Sequence, residues 1–253
     1  GKTDKNFPDH FIFLKPKDVV SGDFYWGKES NNNLLIAASD CTGHGVSGAL
    51  MSMLGISYLN DIIKHTPYNS TSSLKPSAIL EKLRERVIKD LGQKETKPNK
   101  YDIRAHDGMD MALISIDLRY YKHPINNKVP IQYAGAKNPL YIVPPPSSNK
   151  DLKVIKPTPQ TVGITYFEQK PFQNNELEIE KGSMLYIFTD GFPDQLGGKK
   201  YRKYKYSNFR KLLQNIAHLS IDQQKQALNR EYKEWKGDCP QVDDICIVGV
   251  RVD

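Results

Sequence analysis

The stretch from Leu34 to Gly48 limits the fold most strongly, because its composition changes from apolar to polar and back to apolar. It begins with an apolar run as long as a β-strand, breaks at Asp40, and passes through Gly43 and Gly45 into a second, longer apolar segment. This order predicts a strand, a tight turn and a helix, with Asp40 at the end of the strand. A carboxylate in that place is either a helix cap or a ligand for a hard cation.

Length and composition indicate a globular chain with a sizeable core. The 253 residues, 38% of them hydrophobic, are enough for one large domain or two small ones. The sequence contains no signal peptide and no apolar run near the roughly 20 residues that span a membrane. Its three cysteines, Cys41, Cys239 and Cys246, form no Cys-x-x-Cys pair. Their odd number argues against a disulfide framework and for a reducing compartment.

The net charge of +7 is partly concentrated in one basic run, Lys199 to Lys205, which contains two tyrosines. Such a run is compatible with nucleic-acid binding, but it is also typical of a solvated loop or a docking surface. A single run favours the solvated surface, so the sequence predicts no nucleic-acid partner.

The order of predicted elements is strands, a helix pair, strands, a second helix pair and one last strand. The predicted strands cover Phe11–Leu14, Val19–Gly27, Leu34–Asp40, Met109–Asp117, Ile131–Ala134, Leu140–Val143, Leu152–Ile155, Glu176–Ile179, Ser183–Thr189 and Ile245–Val252, and the predicted helices are Val46–Lys64, one beginning at Pro76, Ser207–Ala217 and one beginning at Ser220. Thr66–Lys75 and Gly92–His106 are predicted to be loops. The order fits an α+β fold, a four-layer α-β-β-α sandwich of two mainly antiparallel sheets flanked by helix pairs.

The second predicted strand places Asp23 inside an aromatic-rich run. The turn Asn31–Asn33 joins this strand to the one that ends at Asp40, which predicts a hairpin. In a hairpin Asp23 and Asp40 can lie side by side. Two like charges that close repel each other unless a cation lies between them.

Four aspartates share this setting: Asp23, Asp40, Asp190 and Asp243 each lie at or near a predicted strand end, next to a glycine or another aspartate. Any one of them alone is accounted for as a cap or turn residue, but four in equivalent places weaken that interpretation. Ligands that are all oxygens suit Mg²⁺ or Mn²⁺ and not zinc. Two ions about 3.5–4 Å apart would balance the charge, convert water to hydroxide and align a phosphate for in-line attack.

Four motifs in a fixed order carry a resemblance to a known family. Ser21–Tyr25, Asp40–Gly45, Thr189–Gly191 and Asp243–Ile245 resemble the motifs of the bacterial SpoIIE/RsbU-type phosphatases. These are a branch of the PPM (PP2C-like) metal-dependent protein serine/threonine phosphatases. The intermediate segments Asp107–Asp110, Tyr133–Ala136 and Asp194–Gly198 match as well, and the resemblance extends from about Phe11 to Val252.

The resemblance implies a single PP2C-like phosphatase domain over residues 1–253, with two Mn²⁺ or Mg²⁺ ions at one end of the sheets. By position, Asp40 would bridge both ions, and the backbone carbonyl of Cys41 would bind one of them. Asp23, Asp190 and Asp243 would complete the ligand set. Asp244 and Gly191 would contact these ligands without binding the ions themselves. The resemblance also implies that a hydroxide between the ions attacks phosphoserine or phosphothreonine.

Two departures from the family pattern leave alternatives open. The eukaryotic branch has a histidine directly after its Asp-Gly pair, proposed as a general acid, whereas His44 lies further along the turn. His44 is therefore either that acid or a residue that structures the turn. The phosphate-binding arginine of that branch has no counterpart, and Lys15 or Lys17 is a substitute, with Lys17 as the candidate phosphate ligand. These departures motivate a second hypothesis, a signalling module of the same fold that binds partners without turnover.

The resemblance further implies the partners and the location. The substrate would be a phosphorylated STAS-domain anti-sigma-factor antagonist in a partner-switching pathway. Sensor segments would precede this chain in a longer, cytoplasmic or membrane-anchored protein, and the domain could form a homodimer. Rival chemistries fit poorly: a cysteine phosphatase needs an arginine where Ser47 stands, and the sequence has no Gly-x-Ser-x-Gly elbow, P-loop or kinase signature.

Overall fold

The computed structural model describes residues 8–66, 75–93, 107–124, 126–165 and 169–253. Its longer strands are β1 (His10–Lys15), β2 (Phe24–Ser30), β3 (Asn33–Cys41), β4 (Met109–Asp117), β5 (Lys128–Ala136), β6 (Leu140–Val143), β7 (Lys153–Ile155), β8 (Asn175–Glu180), β9 (Ser183–Phe188) and β12 (Ile245–Val252), and the short strands β10 (Leu196–Gly197) and β11 (Arg202–Lys203) form a separate hairpin. The helices are α1 (Gly45–Lys64), α2 (Pro76–Asp90), α3 (Leu118–Lys122), α4 (Gly191–Asp194), α5 (Tyr206–Ile216) and α6 (Ile221–Lys236), with a 3₁₀ turn at Pro146–Ser148.

Two five-stranded antiparallel sheets form the centre of the molecule. One has the strand order β1-β12-β9-β6-β7 and the other β2-β3-β4-β5-β8. Every pair of neighbouring strands in them is antiparallel. The predicted α+β sandwich of two antiparallel sheets is confirmed.

The pattern of β3 accounts for the layering. Leu34 and Ile36 face the opposite sheet, whereas Leu35 and Ala37 face a helical layer, because side chains alternate along a strand. A strand covered on both faces is apolar throughout rather than at every second residue, as the run from Leu34 to Ala38 is.

The helix pairs cover the two outer faces. Helices α1 and α2 pack on the second sheet through residues such as Leu59 and Leu83. Helices α5 and α6 pack on the first through Phe209 and Leu228. Helix α6 begins with the predicted capping box, in which Ser220 and Gln223 satisfy each other's backbone N–H groups.

Helix α1 is, among the described helices, the one long and apolar enough to span a membrane by length and composition. It instead packs on a sheet, and Leu59, Ile62 and Ile63 lie in the core between α1, α2 and the sheet. A core helix passes the same test, although apolar side chains such as Leu50 and Met53 in the N-terminal half of α1 are exposed.

The predicted strand Val19–Gly27 is wrong at its start, because β2 begins only at Phe24. The backbone N–H groups of Lys17 and Gly22 both donate to the carboxylate of Asp244, at 2.7 Å each. These bonds hold the preceding segment in a bend and leave Val19 fully exposed. Asp23 therefore precedes the strand instead of lying inside it.

Other differences are smaller. The short helix α3 is not predicted, and its N-terminus is capped by the Asp117 side chain, which accepts from the Arg119 N–H. The basic run Lys199–Lys205 includes β11, and all of it except Tyr204 is exposed. Residues 67–74 and 94–106, which cover most of the two predicted loops, lie outside the described residues.

Candidate active site

Asp23 and Asp40 lie side by side where β2 begins and β3 ends in the second sheet. Phe24, the first residue of β2, pairs with Ser39 of β3, so that Asp23 comes next to Asp40. The predicted hairpin is confirmed in this respect. Asp23 is only 4% exposed, and Asp40 is partly buried.

Glycines allow the backbones around this pair to approach closely. A Cβ placed on Gly48 would collide with the carbonyl oxygen of Gly43 and lie 2.8 Å from the Cα of Gly22. Ser52, one turn further along α1, donates a hydrogen bond of 2.6 Å to the carbonyl oxygen of Gly22. The first turns of α1 therefore fix the turn after Asp40 against the segment before Asp23.

Asp190 and Asp243 come together where two neighbouring strands of the first sheet end and begin. Asp190 directly follows β9 and Thr189, and Asp243 precedes β12, the strand paired with β9. A Cβ on Gly191 would overlap the carbonyl oxygen of Asp244, so only glycine permits this approach. That Gly191 and Asp244 support the metal-binding aspartates stays a prediction.

Thr189 joins the two sheets at this edge. Its buried hydroxyl donates to Oδ2 of Asp23 at 2.5 Å and accepts the N–H of Cys246 at 2.9 Å. The motif that contains Thr189 predicts no role for its side chain. A hydroxyl immediately before an Asp-Gly pair at a strand end is the signal that indicates one.

Burial and mutual repulsion raise the pKa values of three aspartates. Burial, opposed by the Thr189 hydrogen bond and reinforced by the charges of Asp244, Asp243 and Asp190, raises the pKa of Asp23 to about 8. Burial and the neighbouring charge of Asp23 raise the pKa of Asp40 to about 9. Burial and the charge of Asp243 raise the pKa of Asp190 to about 6. The carboxylates thus lie close enough to oppose one another's ionisation.

Asp110 is an additional acidic neighbour that sequence analysis left without a role. It pairs with Asp40 across β3 and β4, and its charge contributes to the raised pKa values of Asp40 and Asp190. Its carboxylate accepts a hydrogen bond of 3.1 Å from Nζ of Lys137. The strand register, which the local pattern does not reveal, brings it to the site.

The remaining predicted site residues lie around the cluster. The backbone oxygen of Cys41 faces the Gly22 segment, 3.4 Å from where a Cβ of that glycine would be. His44 is exposed, and its Nδ1 lies 3.1 Å from Oδ2 of Asp18. Lys17 contributes its backbone N–H to Asp244. Their predicted roles as metal ligand, general acid and phosphate ligand stay predictions.

The donor set fits divalent cations in chemistry and charge. All the candidate ligands are oxygens, and the pKa values of Asp23 and Asp40 are raised first by burial and then by neighbouring carboxylate charges, which a divalent cation would offset. Within the described ranges, however, no three Asp, Glu, His or Cys side chains converge as a ready-made cage. The two observations are compatible, because Mg²⁺ retains several waters and takes only one or two carboxylates directly.

Comparison with known families and structures identifies the fold. The family model described as stage II sporulation protein E (SpoIIE) matches residues 30–253, most of the chain. The chain belongs to the SpoIIE family. The comparison with curated protein sequences finds no match.

Solved structures agree with the SpoIIE assignment. The SiaA-PP2C domain of Pseudomonas aeruginosa has 31% identity and a TM-score of 0.79, over 97% of this chain and 86% of that one. The structure of the PP2C phosphatase domain and a regulatory fragment of SpoIIE from Bacillus subtilis has 14% identity and a TM-score of 0.69, over 97% and 63% of the two chains. The RsbU and RsbW domains of Rv1364c from Mycobacterium tuberculosis have 18% identity and a TM-score of 0.67, over 97% and 60%. The α+β sandwich is therefore that of PP2C phosphatase domains.

A more distant structure has the same fold. The catalytic domain of the serine/threonine phosphatase PstP, at 13% identity and a TM-score of 0.54, was solved in complex with two manganese ions.

Proposed function

We propose that this protein is a metal-dependent phosphatase that hydrolyses phosphoserine or phosphothreonine on a partner protein. The observation that carries the proposal is the placement of Asp23 beside Asp40 at the strand ends of one sheet, with the Thr189 hydroxyl of the other sheet bonded to Asp23, and with Asp190 directly after Thr189. An acidic cluster of this kind at the edge of a PP2C-like sandwich requires cations to be stable in its ionised form.

The residues that would hold the cations are Asp23, Asp40, Asp190, Asp243 and the backbone carbonyl of Cys41. We propose Mn²⁺ or Mg²⁺, two per chain, with Asp40 shared between them; the two manganese ions of PstP support that number. Such ions, when bound, activate water and neutralise the charge that develops on a transferred phosphoryl group.

The other residues orient these ligands and handle protons. Thr189 holds one oxygen of Asp23, which leaves the second free to face the site. Asp244 positions the segment from Lys17 to Gly22 through two backbone N–H groups. His44 is the candidate general acid for the departing serine oxygen, and Asp18 would orient its ring. Lys17 is a candidate phosphate ligand.

The finer context is also a proposal. Residues 1–253 would form one phosphatase domain of a longer, cytoplasmic or membrane-anchored sensor protein, and a homodimer is the simplest assembly. The RsbU domain of the M. tuberculosis neighbour occurs together with an RsbW domain, which supports a protein partner. A phosphorylated STAS-domain anti-sigma-factor antagonist is the substrate class that fits.

The deciding experiment measures metal binding and turnover together. Titration with Mn²⁺ or Mg²⁺ is followed by calorimetry, and hydrolysis is followed with a phosphoserine peptide and with p-nitrophenyl phosphate. We expect metal uptake and metal-dependent turnover, both lost in Asp40→Ala. The proposal is contradicted if neither Mn²⁺ nor Mg²⁺ supports turnover, or if Asp40→Ala leaves turnover unchanged. Partner binding without metal uptake would identify a non-catalytic signalling module instead.

A further inference from the structure

A lysine sits in an unfavourable backbone conformation beside the acidic cluster. Lys137 follows the last residue of β5 and has a φ of +56°, in the left-handed region that non-glycine residues rarely occupy. A backbone conformation of this type costs free energy, and it persists where the surrounding structure holds it in place.

Several hydrogen bonds fix this turn. The N–H of Lys137 donates to the carbonyl of Thr158 at 2.9 Å, and the N–H of Thr158 donates to the carbonyl of Gly135 at 2.9 Å. Asn138 is held on both sides, because its side chain donates to the carbonyl of Asp110 and its own carbonyl accepts the hydroxyl of Tyr133 at 2.6 Å. The backbone conformation of Lys137 is thus held by hydrogen bonds to neighbouring residues, although a lysine alone would rarely adopt it.

The fixed turn brings a positive charge to the rim of the site. Nζ of Lys137 lies 3.1 Å from Oδ2 of Asp110, and Asp110 is the register partner of Asp40. Only one carboxylate therefore separates the ammonium group from the proposed metal ligand Asp40. The Lys137 side chain is 51% exposed, so it can reach a ligand that arrives from solvent.

The ion pair with Asp110 does not commit Lys137 to a structural role. Ion pairs open to solvent contribute little net stability, so the half-exposed ammonium group of Lys137 can exchange Asp110 for a more strongly charged partner. A phosphate monoester dianion is such a partner, and charge-assisted hydrogen bonds to phosphate are among the strongest that lysine forms. The fixed backbone means that only the side-chain torsions of Lys137 have to be ordered on binding.

We propose that Lys137 is the phosphate-binding cation of this protein and contacts the non-bridging oxygens of the substrate's phosphoryl group. This inference rests on the proposed phosphatase function and assigns Lys137 the place for which the sequence suggested Lys17. A single lysine at the rim also accounts for a site without the arginine of the eukaryotic branch.

The test uses the whole chain loaded with Mn²⁺ and inorganic phosphate as the probe. Phosphate binding is measured by calorimetry in the unchanged protein and in Lys137→Gln, Lys137→Arg, Lys17→Ala and Lys128→Ala. Lys128 is the matched control, because it begins the strand that Lys137 follows and its Nζ contacts Glu178 at 3.0 Å, with a similar exposure of 45%. We expect Lys137→Gln to raise the Kd for phosphate about tenfold, Lys137→Arg to remain within about threefold, and Lys128→Ala to bind as the unchanged protein does.

Two further readouts separate this role from a loss of structure. Mn²⁺ affinity without phosphate is expected to stay unchanged in Lys137→Gln, and the thermal midpoint is expected to stay within a few degrees. An unchanged phosphate Kd in Lys137→Gln overturns the proposal, as does a tenfold loss in Lys17→Ala in its place. If the unchanged protein binds phosphate through Lys137 but hydrolyses no phosphoserine peptide, the phosphatase function is wrong and the phosphate site stands. If the unchanged protein hydrolyses the peptide but Lys137→Gln has the same Kd for phosphate, the phosphatase function stands and the role of Lys137 is wrong.

Discussion

The hydroxyl of Thr189 lies 2.5 Å from Oδ2 of Asp23 and connects the edges of two different sheets. Thr189 follows β9 of one sheet, and Asp23 precedes β2 of the other. The same hydroxyl accepts the N–H of Cys246 at the start of β12. One buried group therefore fixes an acidic side chain from one sheet against two strands of the other.

Replacing Thr189 by valine should weaken both the fold and the site. Valine has a similar shape but no hydroxyl, so Asp23 and the Cys246 N–H lose a buried partner. We expect the free energy of unfolding to fall by about 1–3 kcal/mol, measured by urea denaturation, and Mn²⁺ affinity to fall in calorimetry. Thr189→Ser keeps the hydroxyl and should behave almost as the unchanged protein; equal losses in both variants would contradict the role of the hydrogen bond.

Replacing Asp40 by asparagine should separate stability from metal binding. Because the pKa of Asp40 is about 9, the folded metal-free protein at pH 8 holds a proton on Asp40 that the unfolded chain releases, and this proton uptake costs stability. Asparagine is neutral and avoids that cost, so the metal-free variant should be more stable than the unchanged protein at pH 8. The stabilisation that Mn²⁺ gives should be lost, since the proposed shared ligand is gone. Thermal midpoints with Mn²⁺ and with a chelator measure both effects. Glu178→Gln, on an exposed edge strand, is the control and should change neither; a metal-free Asp40→Asn protein that is less stable would show that the cost of burying Asp40 is not the dominant effect.

The stability of the metal-free protein should decrease as the pH rises. The folded-state pKa values are raised to about 6 for Asp190, about 8 for Asp23 and about 9 for Asp40, above the ordinary value of 3.8. The folded protein therefore holds protons that the unfolded chain releases, a contribution fully present below about pH 4 and lost as the pH rises through these values. Urea unfolding in a chelator between pH 5 and 9 measures this.

Metal binding should show the opposite dependence on pH. Divalent ions must displace the protons held by Asp23 and Asp40, so the apparent Mn²⁺ affinity should increase between about pH 6 and 9. Calorimetry in buffers of different ionisation enthalpy would detect the released protons. An affinity that is constant over this range, with no proton release, would contradict the raised pKa values.

Replacing Gly48 by alanine should disturb the site through the backbone. Alanine favours a helix over glycine by up to about 1 kcal/mol, so propensity alone predicts stabilisation. The added Cβ, however, would collide with the backbone of Gly43 and Gly22, and overpacking typically costs about 1–3 kcal/mol. We expect lower stability and weaker Mn²⁺ binding in unfolding and calorimetry experiments.

The matched control for Gly48 is Gly55 in the same helix. The atoms nearest to a Cβ there belong to side chains and not to backbone, with Sδ of Met109 at 2.8 Å and Cζ of Phe24 at 3.0 Å. Gly55→Ala should therefore cost less than Gly48→Ala and leave Mn²⁺ affinity unchanged. Similar losses of metal affinity in both variants would exclude a specific role for the Gly22–Gly48 contact.

The sequence alone was sufficient for the features that depend on local pattern. The apolar run before Asp40 and the glycines after it predict β3 and α1 correctly, since strand and turn preferences there agree with the tertiary structure. The segment before Phe24 has equally strong strand preference but bends, because the buried Asp244 carboxylate binds its backbone from 222 residues away in the sequence. Local pattern contains no information on such a contact.

The missed residues of the candidate site have a common physical reason. Asp110 reaches Asp40 through the pairing of β3 and β4, and Lys137 reaches Asp110 through the turn after β5. Strand register is set by the packing of whole sheets and by turn geometry, so no motif around either residue shows their proximity. The four aspartates were identified because each carries its own strand-end signature.

The aspartates of the site come in pairs from opposite layers of the sandwich, Asp23 and Asp40 from one and Asp190 and Asp243 from the other. The gap between the pairs is therefore determined by the thickness of the apolar interior, where side chains such as Ile36 and Leu185 meet. Since that interior is close-packed and resists compression, it fixes the distance between the two pairs of aspartates. A methyl group added or removed deep between the sheets, with no contact to any aspartate, would change the spacing of the acids.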